Sequence, residues 1–171
     1  MGIDQSPDSR VADSRVAGFE SWYRDEHPRL LAAMAVVARD TEVAGEVTAE
    51  AFARALERWD RVAAMESPGG WTYRVALNLV RRRARRAALE RRLLTRLAPP
   101  VTAAVPAHAV DVWQAVTGLP PRMRTAVALR YLGGLTEAEV AETMGVAPGT
   151  VAATLSDARR RLATLLEVTH G

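Results

Sequence analysis

Apolar residues recur along this chain at intervals of three and four, and no strand-length run alternates apolar with polar. The pattern predicts helices throughout, gathered into two groups. Residues 1–15 are polar, lack periodicity and include Pro7, which reads as a disordered tail. Over residues 16–39, Phe19, Trp22, Leu30, Leu31, Met34 and Val37 form one apolar stripe, and Pro28 within it predicts a kink or a break near His27. Asp40 or Thr41 can cap a second helix running to about Trp59, with Val43, Val47, Ala51, Phe52, Ala55, Leu56 and Trp59 on its buried side. Its other side carries Glu42, Glu46, Glu50 and Glu57, a face that is either solvated or a docking surface. A loop follows, ending in Ser67-Pro68-Gly69-Gly70, a sequence that starts a helix. In that third helix, from Trp71 to about Arg92, the spacing predicts Trp71, Val75, Leu79 and Ala76 facing inward.

Residues 97–110 are rich in Pro and Ala without helical periodicity and read as a linker. Beyond it the pattern predicts a short helix with Val112, Trp113 and Val116, then a helix from Pro121 to about Leu132. The stretch 135–166 is the most informative. Thr136 and Glu139 have the spacing of a capping box, Val140, Ala141 and Met144 follow at helical spacing, and Gly145 supplies a helix exit. Pro148-Gly149-Thr150 then restarts a helix with Val151, Leu155, Ala158, Leu162, Leu165 and Leu166 along one side. Helix, tight Gly-bearing turn and second helix form the pattern of a DNA-binding helix-turn-helix, which an ordinary helical hairpin shares. The chain therefore reads as all-α: a tail over 1–15, a helical domain over 16–96, a linker over 97–110 and a helix-turn-helix domain over 111–167.

Composition narrows the function. There is no Cys, which removes disulfides and thiolate metal sites, and all 23 basic residues are Arg. No apolar run reaches membrane-spanning length and the first residues lack a signal-peptide core, so no membrane insertion and a cytoplasmic setting are expected. His27, His108 and His170 lack metal-ligand spacing, and no nucleophile-elbow or phosphate-loop pattern occurs. An enzyme, a metal site and a cofactor are not expected. The net charge of +3 conceals a strong asymmetry: residues 1–70 hold 8 Arg against 13 acids, residues 71–98 hold 9 Arg against 1 acid, and the remainder is balanced. Like charges at that density repel one another within a helix, so an external polyanion explains the third helix better than solvation does.

Several fragments, in order and spacing, resemble the extracytoplasmic-function (ECF) sigma factors, the two-domain class of the sigma-70 family. Leu119-Pro120-Pro121-Arg122-Met123-Arg124 and Leu129 are similar to the family's L-P-x-x-x-R-x-x-x-x-L. Leu135-Thr136-Glu137-Ala138-Glu139-Val140-Ala141 matches L-[ST]-x-x-E-[IV]-A, and Gly149-Thr150-Val151 matches G-T-V. Trp71-Thr72-Tyr73-Arg74-Val75-Ala76-Leu77-Asn78 is similar to W-L-x-x-[IV]-A-x-N, and Phe52 and Trp59 fall at aromatic positions of the pattern. The resemblance implies a factor that gives RNA polymerase core its promoters. Glu46, Glu50 and Phe52 would meet the clamp helices of the β′ subunit, and the second domain would sit on the β flap. Arg74, Arg81, Arg82 and Arg85 would hold phosphates of the −10 element of promoter DNA. Asn78, Trp71 and loop residues such as Met65 would handle an unstacked base there. Thr136, Pro148, Gly149, Thr150, Ala152, Ala153, Thr154 and Arg159 would face a −35 element. Control by an anti-sigma factor is usual in that family.

The chain departs from the family in two places. After Gly149-Thr150-Val151 the family has a basic, polar series, whereas Ala152, Ala153, Thr154, Leu155, Ser156, Asp157 and Ala158 stand here. Such a surface offers few phosphate contacts, and Asp157 would repel a DNA backbone. Ala49 replaces a common Gln in the acidic helix, which Gly45 weakens. Two rival readings stay open: a sigma-like or stand-alone helix-turn-helix transcriptional regulator, and a helical adaptor that does not initiate by itself.

Overall fold

The computed structural model describes residues 7–94 and 110–170, with side chains over 15–92 and 112–165. The helices are α1 (Pro7–Ala38), α2 (Thr41–Glu57), α3 (Trp59–Ala63), α4 (Pro68–Leu94), α5 (Val110–Gly118), α6 (Pro121–Val127), α7 (Glu137–Met144) and α8 (Pro148–His170). A π-helical turn, Ala128–Leu132, extends α6. No strand occurs among the described residues, as the absence of alternation predicts. The linker expected at 97–110 lies outside the described residues, except that Val110 already belongs to α5.

Local chemistry fixes several helix ends. Asp40 caps α2, its carboxylate accepting from the backbone N–H of Glu42 at 2.9 Å and of Val43 at 3.0 Å. Arg39, just before it, takes the left-handed φ of 58° that turns the chain out of α1. Gly145 ends α7 at φ 71°, a conformation costly for any side chain, and Pro148 opens α8. The Arg124 guanidinium donates to the carbonyls of Thr117 and Leu119 at 3.3 and 2.9 Å, which ties the α5–α6 corner together.

Tertiary packing overrides four local expectations. The tail expected through residue 15 is helical from Pro7, which suits the first position of a helix, and Arg15 anchors it through an ion pair with Asp60 at 2.9 Å. Of the kink or break expected near His27, the break does not occur, since α1 is continuous through Pro28. The helix runs on through Pro28 because it is packed on both sides of that residue, by Phe19 and Trp22 before it and Leu30 and Met34 after it. The second helix does not reach Trp59: Arg58 leaves helical geometry and Trp59 begins the short α3. Leu56, expected inside, is 46% exposed.

The fourth difference is rotational. In α4, after Gly70, the buried residues are Thr72, Tyr73, Ala76, Leu77 and Val80, while Trp71, Val75 and Leu79 are only half-buried. The helix is rotated toward Tyr73 because it packs on two bodies at once: α1 and α2 on one side, α7 on the other. Helix α1 is the spine of the molecule. It contacts α2 and α4 of the first domain and also α6 and its π-turn in the second. The buried cluster is accordingly continuous, running from Leu30, Met34, Val47 and Leu77 to Leu129, Val140, Val151 and Leu155.

Candidate nucleic-acid interface

Helical spacing places Arg74, Asn78, Arg81 and Arg85 on one side of α4, with Arg82 beside them. At 1.5 Å per residue that row is about 16 Å long. Asn78, Arg81, Arg82 and Arg85 are exposed, and no ion pair to these three arginines is found among the described residues. Their neighbours differ. Arg83 pairs with Glu46 of α2, and Arg86 pairs with Glu90 at 2.9 Å. Arg81, Arg82 and Arg85 thus gather on the side expected to face DNA, Arg83 and Arg86 are paired off it, and Arg74 at the head of the row is paired across to the second domain.

The N-terminal end of this row meets the second domain. Met65, Ser67, Trp71 and Arg74 line one wall of a cleft of about 660 Å³, and Thr136, Ala138, Glu139 and Glu142 line the other. The Ser67 hydroxyl accepts from the N–H of Gly70 at 3.0 Å, starting α4, and donates to the Glu139 carboxylate at 2.5 Å. Glu139 also closes the capping box of α7: it accepts from the Thr136 N–H at 2.8 Å, and its own N–H donates to the Thr136 hydroxyl at 3.2 Å. Foremost the Ser67 hydrogen bond, then Thr136, hold its carboxyl below the ordinary 4.5 against the opposing effect of burial. This contribution to stability is therefore complete above the unfolded value and fades as pH falls through the lowered folded one. Arg74 pairs with Glu142, while its Nε is buried with no partner.

Beneath this cleft Tyr73 is completely buried. Its hydroxyl sits beside the Glu26 carboxyl and 3.4 Å from the carbonyl oxygen of Gly133. Burial pushes the Glu26 carboxyl up, opposed by Arg29, and burial together with Glu26 pushes the Tyr73 phenol far up. Gly133 lets the second domain come this close: a Cβ there would stand 2.8 Å from Cε1 of Tyr73 and 2.6 Å from the carbonyl oxygen of Leu129.

The other expected sites separate. Glu46 and Glu50 are exposed on α2, but Glu50 pairs with Arg54 at 2.8 Å and Glu46 with Arg83. Phe52, expected as a contact residue beside them, is 3% exposed and packs edge-on against Trp22 and Tyr23. It supports the α2 surface from beneath instead of forming it. In the helix-turn-helix, Pro148, Gly149, Thr150, Ala152 and Ala153 are exposed, as a recognition surface requires. Thr154 is half-buried and its hydroxyl is spent on the Thr150 carbonyl at 2.7 Å; Arg159 donates to the Tyr131 hydroxyl at 3.2 Å. Thr136 is occupied by its cap and faces the cleft.

Glu139 and Glu142 were not expected as site residues, nor was Ser67 expected to touch the second domain. The sequence shows Glu139 as a cap and Ser67 as a helix start, and both do that work. Nothing local indicates that the two caps also bind each other across 72 positions.

Models of two regions of the sigma-70 family match this chain: region 2 over residues 22–90 and region 4 over residues 109–162. The ECF RNA polymerase sigma factor SigM of Mycobacterium tuberculosis H37Rv is 29% identical over 96% of this chain and 87% of its own length. SigM of the Erdman strain is 30% identical over 92% of this chain and 81% of its own length. Among solved structures, the sigma factor RpoE in complex with the anti-sigma factor NepR, from Bartonella quintana, superposes with a TM-score of 0.74 at 22% identity, covering 88% of this chain and 98% of that one. CnrH in complex with the cytosolic domain of CnrY gives 0.60 at 21% identity, covering 92% and 96%. The two matched regions and the SigM relatives define a two-domain transcription initiation factor. The chain belongs to the ECF sigma factors of the sigma-70 family and serves RNA polymerase in transcription initiation at promoter DNA. That family consists of regulatory proteins rather than enzymes. No helix among the described residues is long and apolar enough to cross a membrane.

Proposed function

We propose that the exposed row on α4 is the surface that takes the −10 element, and that it carries most of this factor's promoter affinity. The observation behind this reading is the sorting of the arginines: Arg81, Arg82 and Arg85 are exposed beside Asn78 and have no ion pair among the described residues, whereas Arg83 and Arg86 are neutralised by glutamates. Phosphates bind the guanidinium groups, and Asn78 with the half-buried Trp71 and Met65 handles an unstacked base. Glu46 and Glu50, carried on a surface backed by Phe52, face the β′ clamp helices, and the second domain meets the β flap. The factor works in the cytoplasm without a catalytic step or cofactor of its own. An anti-sigma partner fits the same reading, since RpoE is solved bound to NepR.

The start of α8 supports a different kind of −35 readout. Gly149, Ala152, Ala153 and Ser156 share an exposed face that lacks charge, and Arg160 beyond them is tied to Asp157. No guanidinium is placed to grip guanine edges in the first two turns, and the Ala methyls suit thymine methyl groups instead. Initiation by core polymerase with this factor on a library of randomised promoters tests both assignments. The expected transcripts share a narrowly constrained −10 element and a weakly constrained −35 element in which thymines dominate. A tightly constrained −35 element rich in guanine contacts, with a relaxed −10 element, would reverse the roles of the two domains.

A further inference from the structure

We propose that α7 is a built-in competitor of the promoter strand: Glu139 and Glu142 place carboxylates on Ser67 and Arg74, so the free chain masks the entrance of its own −10 surface. This rests on the reading of α4 as the strand-binding helix.

The argument begins with what Arg74 is doing. It stands at the head of the row Arg74, Asn78, Arg81, Arg85, yet it alone among these is turned to an acid of the other domain, Glu142. A guanidinium has five N–H donors in a planar fork suited to a phosphate or a carboxylate. Here the buried Nε is left without a partner, so the single Glu142 pairing under-uses the group. A ligand with more acceptor oxygens than one carboxylate satisfies it better. A nucleic-acid phosphate, in a strand that continues toward Arg81 and Arg85, is such a ligand.

The second contact has the same character. Ser67 is the last residue before α4, and its hydroxyl points at the Glu139 carboxylate across a cleft that also contains Met65 and Trp71. Both partners hold their positions through caps of their own helices, so the two domains meet in one register and not as a loose collision. The contact is nonetheless thin and polar above the Tyr73 layer. An ion pair with a partly exposed arginine, and one charge-assisted hydrogen bond, are interactions that a polyanion or a binding partner can replace. The device therefore reads as a latch: the acidic residues of α7 hold the site until the domains separate, and separation frees the base-handling loop and the helix-turn-helix together.

The test is binding of the full chain to a fluorescein-labelled, random-sequence 15-nucleotide single strand, followed by anisotropy. The latch variant is Glu139→Gln with Glu142→Gln, since Gln preserves the capping role at the third position of α7. Because removing two negative charges strengthens DNA binding anywhere on the surface, the reference is Glu42→Gln with Glu57→Gln, both exposed on α2 and outside the cleft lining. The latch variant is expected to bind about tenfold tighter than this charge-matched reference, the equivalent of shifting a closed-to-open equilibrium by one decade. The chain has no Cys, so dyes on Ala53→Cys and Ala163→Cys report domain separation in the same variants. Energy transfer should fall on addition of the strand, and at about tenfold lower strand concentration in the latch variant than in the reference. Equal affinity of latch and reference variants, with strong binding by both, would overturn the latch and leave α4 as the DNA surface. Absence of strand binding in every variant would overturn the assignment of α4, and with it the competitor role of α7.

Discussion

Replacing Arg81, Arg82 and Arg85 together with Ala is expected to weaken binding of the −10 strand about fifty-fold at roughly 0.15 M monovalent salt. Each phosphate contact to a single strand contributes about 0.7 to the slope of log K against log salt, so three contacts remove about 2.1 from that slope. The two numbers are linked, because the affinity loss at any salt is the lost slope multiplied by the logarithm of the salt concentration. Arg83→Ala with Arg86→Ala is the control within the same helix. Both of those guanidiniums already face carboxylates, Glu46 and Glu90, and their removal should change the slope by less than half as much. Titrations of a labelled strand at several salt concentrations measure both variants. An unchanged slope in the triple variant would remove α4 from the DNA surface.

Tyr73→Ala is expected to cost about 3–5 kcal/mol of folding stability, the range for deleting a large aromatic side chain from a packed core. The residue is fully buried and belongs to the cluster that includes Leu77 on its own helix and Leu129 and Leu135 in the second domain. Its loss opens a void at the place where the domains join, so the cost falls on both. Tyr73→Phe keeps the ring and removes only the hydroxyl, which lies beside the Glu26 carboxyl and 3.4 Å from the Gly133 carbonyl oxygen, and about 1–2 kcal/mol is expected. Urea denaturation followed by far-UV circular dichroism distinguishes the two. If Tyr73→Ala costs under 1 kcal/mol, the two domains do not share a core.

The elements legible in the sequence are those specified by neighbouring residues. The capping box of Thr136 and Glu139, the Gly145 exit and the Pro148 restart all act within four positions, and each appears where its spacing predicts. Asp40 is similar, the choice between it and Thr41 settling on the side chain that reaches two N–H groups. The features that periodicity misses depend on what lies beside a helix. Pro28 breaks an isolated helix, but not one fastened by aromatic packing before it and by Leu30 and Met34 after it. Trp71, Val75 and Leu79 make a convincing buried stripe until a second domain covers Tyr73 instead.

For the candidate interface, the arginine cluster is legible as charge, and its division is not. The i,i+4 spacing of Arg86 and Glu90 can be read from the order of residues, but nothing in that order indicates that Arg74 and Arg83 have partners while Arg81, Arg82 and Arg85 have no ion pair among the described residues. Pairing across 37 and 68 positions, as in Arg83 with Glu46 and Arg74 with Glu142, is a property of the docked helices. The acids of α7 are the clearest case. By pattern alone Glu139 is a helix cap and Glu142 a surface charge, and their place opposite Ser67 and Arg74 exists only once α1 has brought both domains against itself.

The most direct measurement of the central claim is photocrosslinking from position 78 within the polymerase complex. A benzophenone amino acid replaces Asn78, the chain is assembled with core RNA polymerase, and the complex is formed on a promoter recovered from the randomised library. Crosslinks to the non-template strand within the −10 element are the predicted result. Crosslinks confined to polymerase subunits, in a complex that still initiates transcription, would contradict the assignment of α4 as the promoter-reading helix.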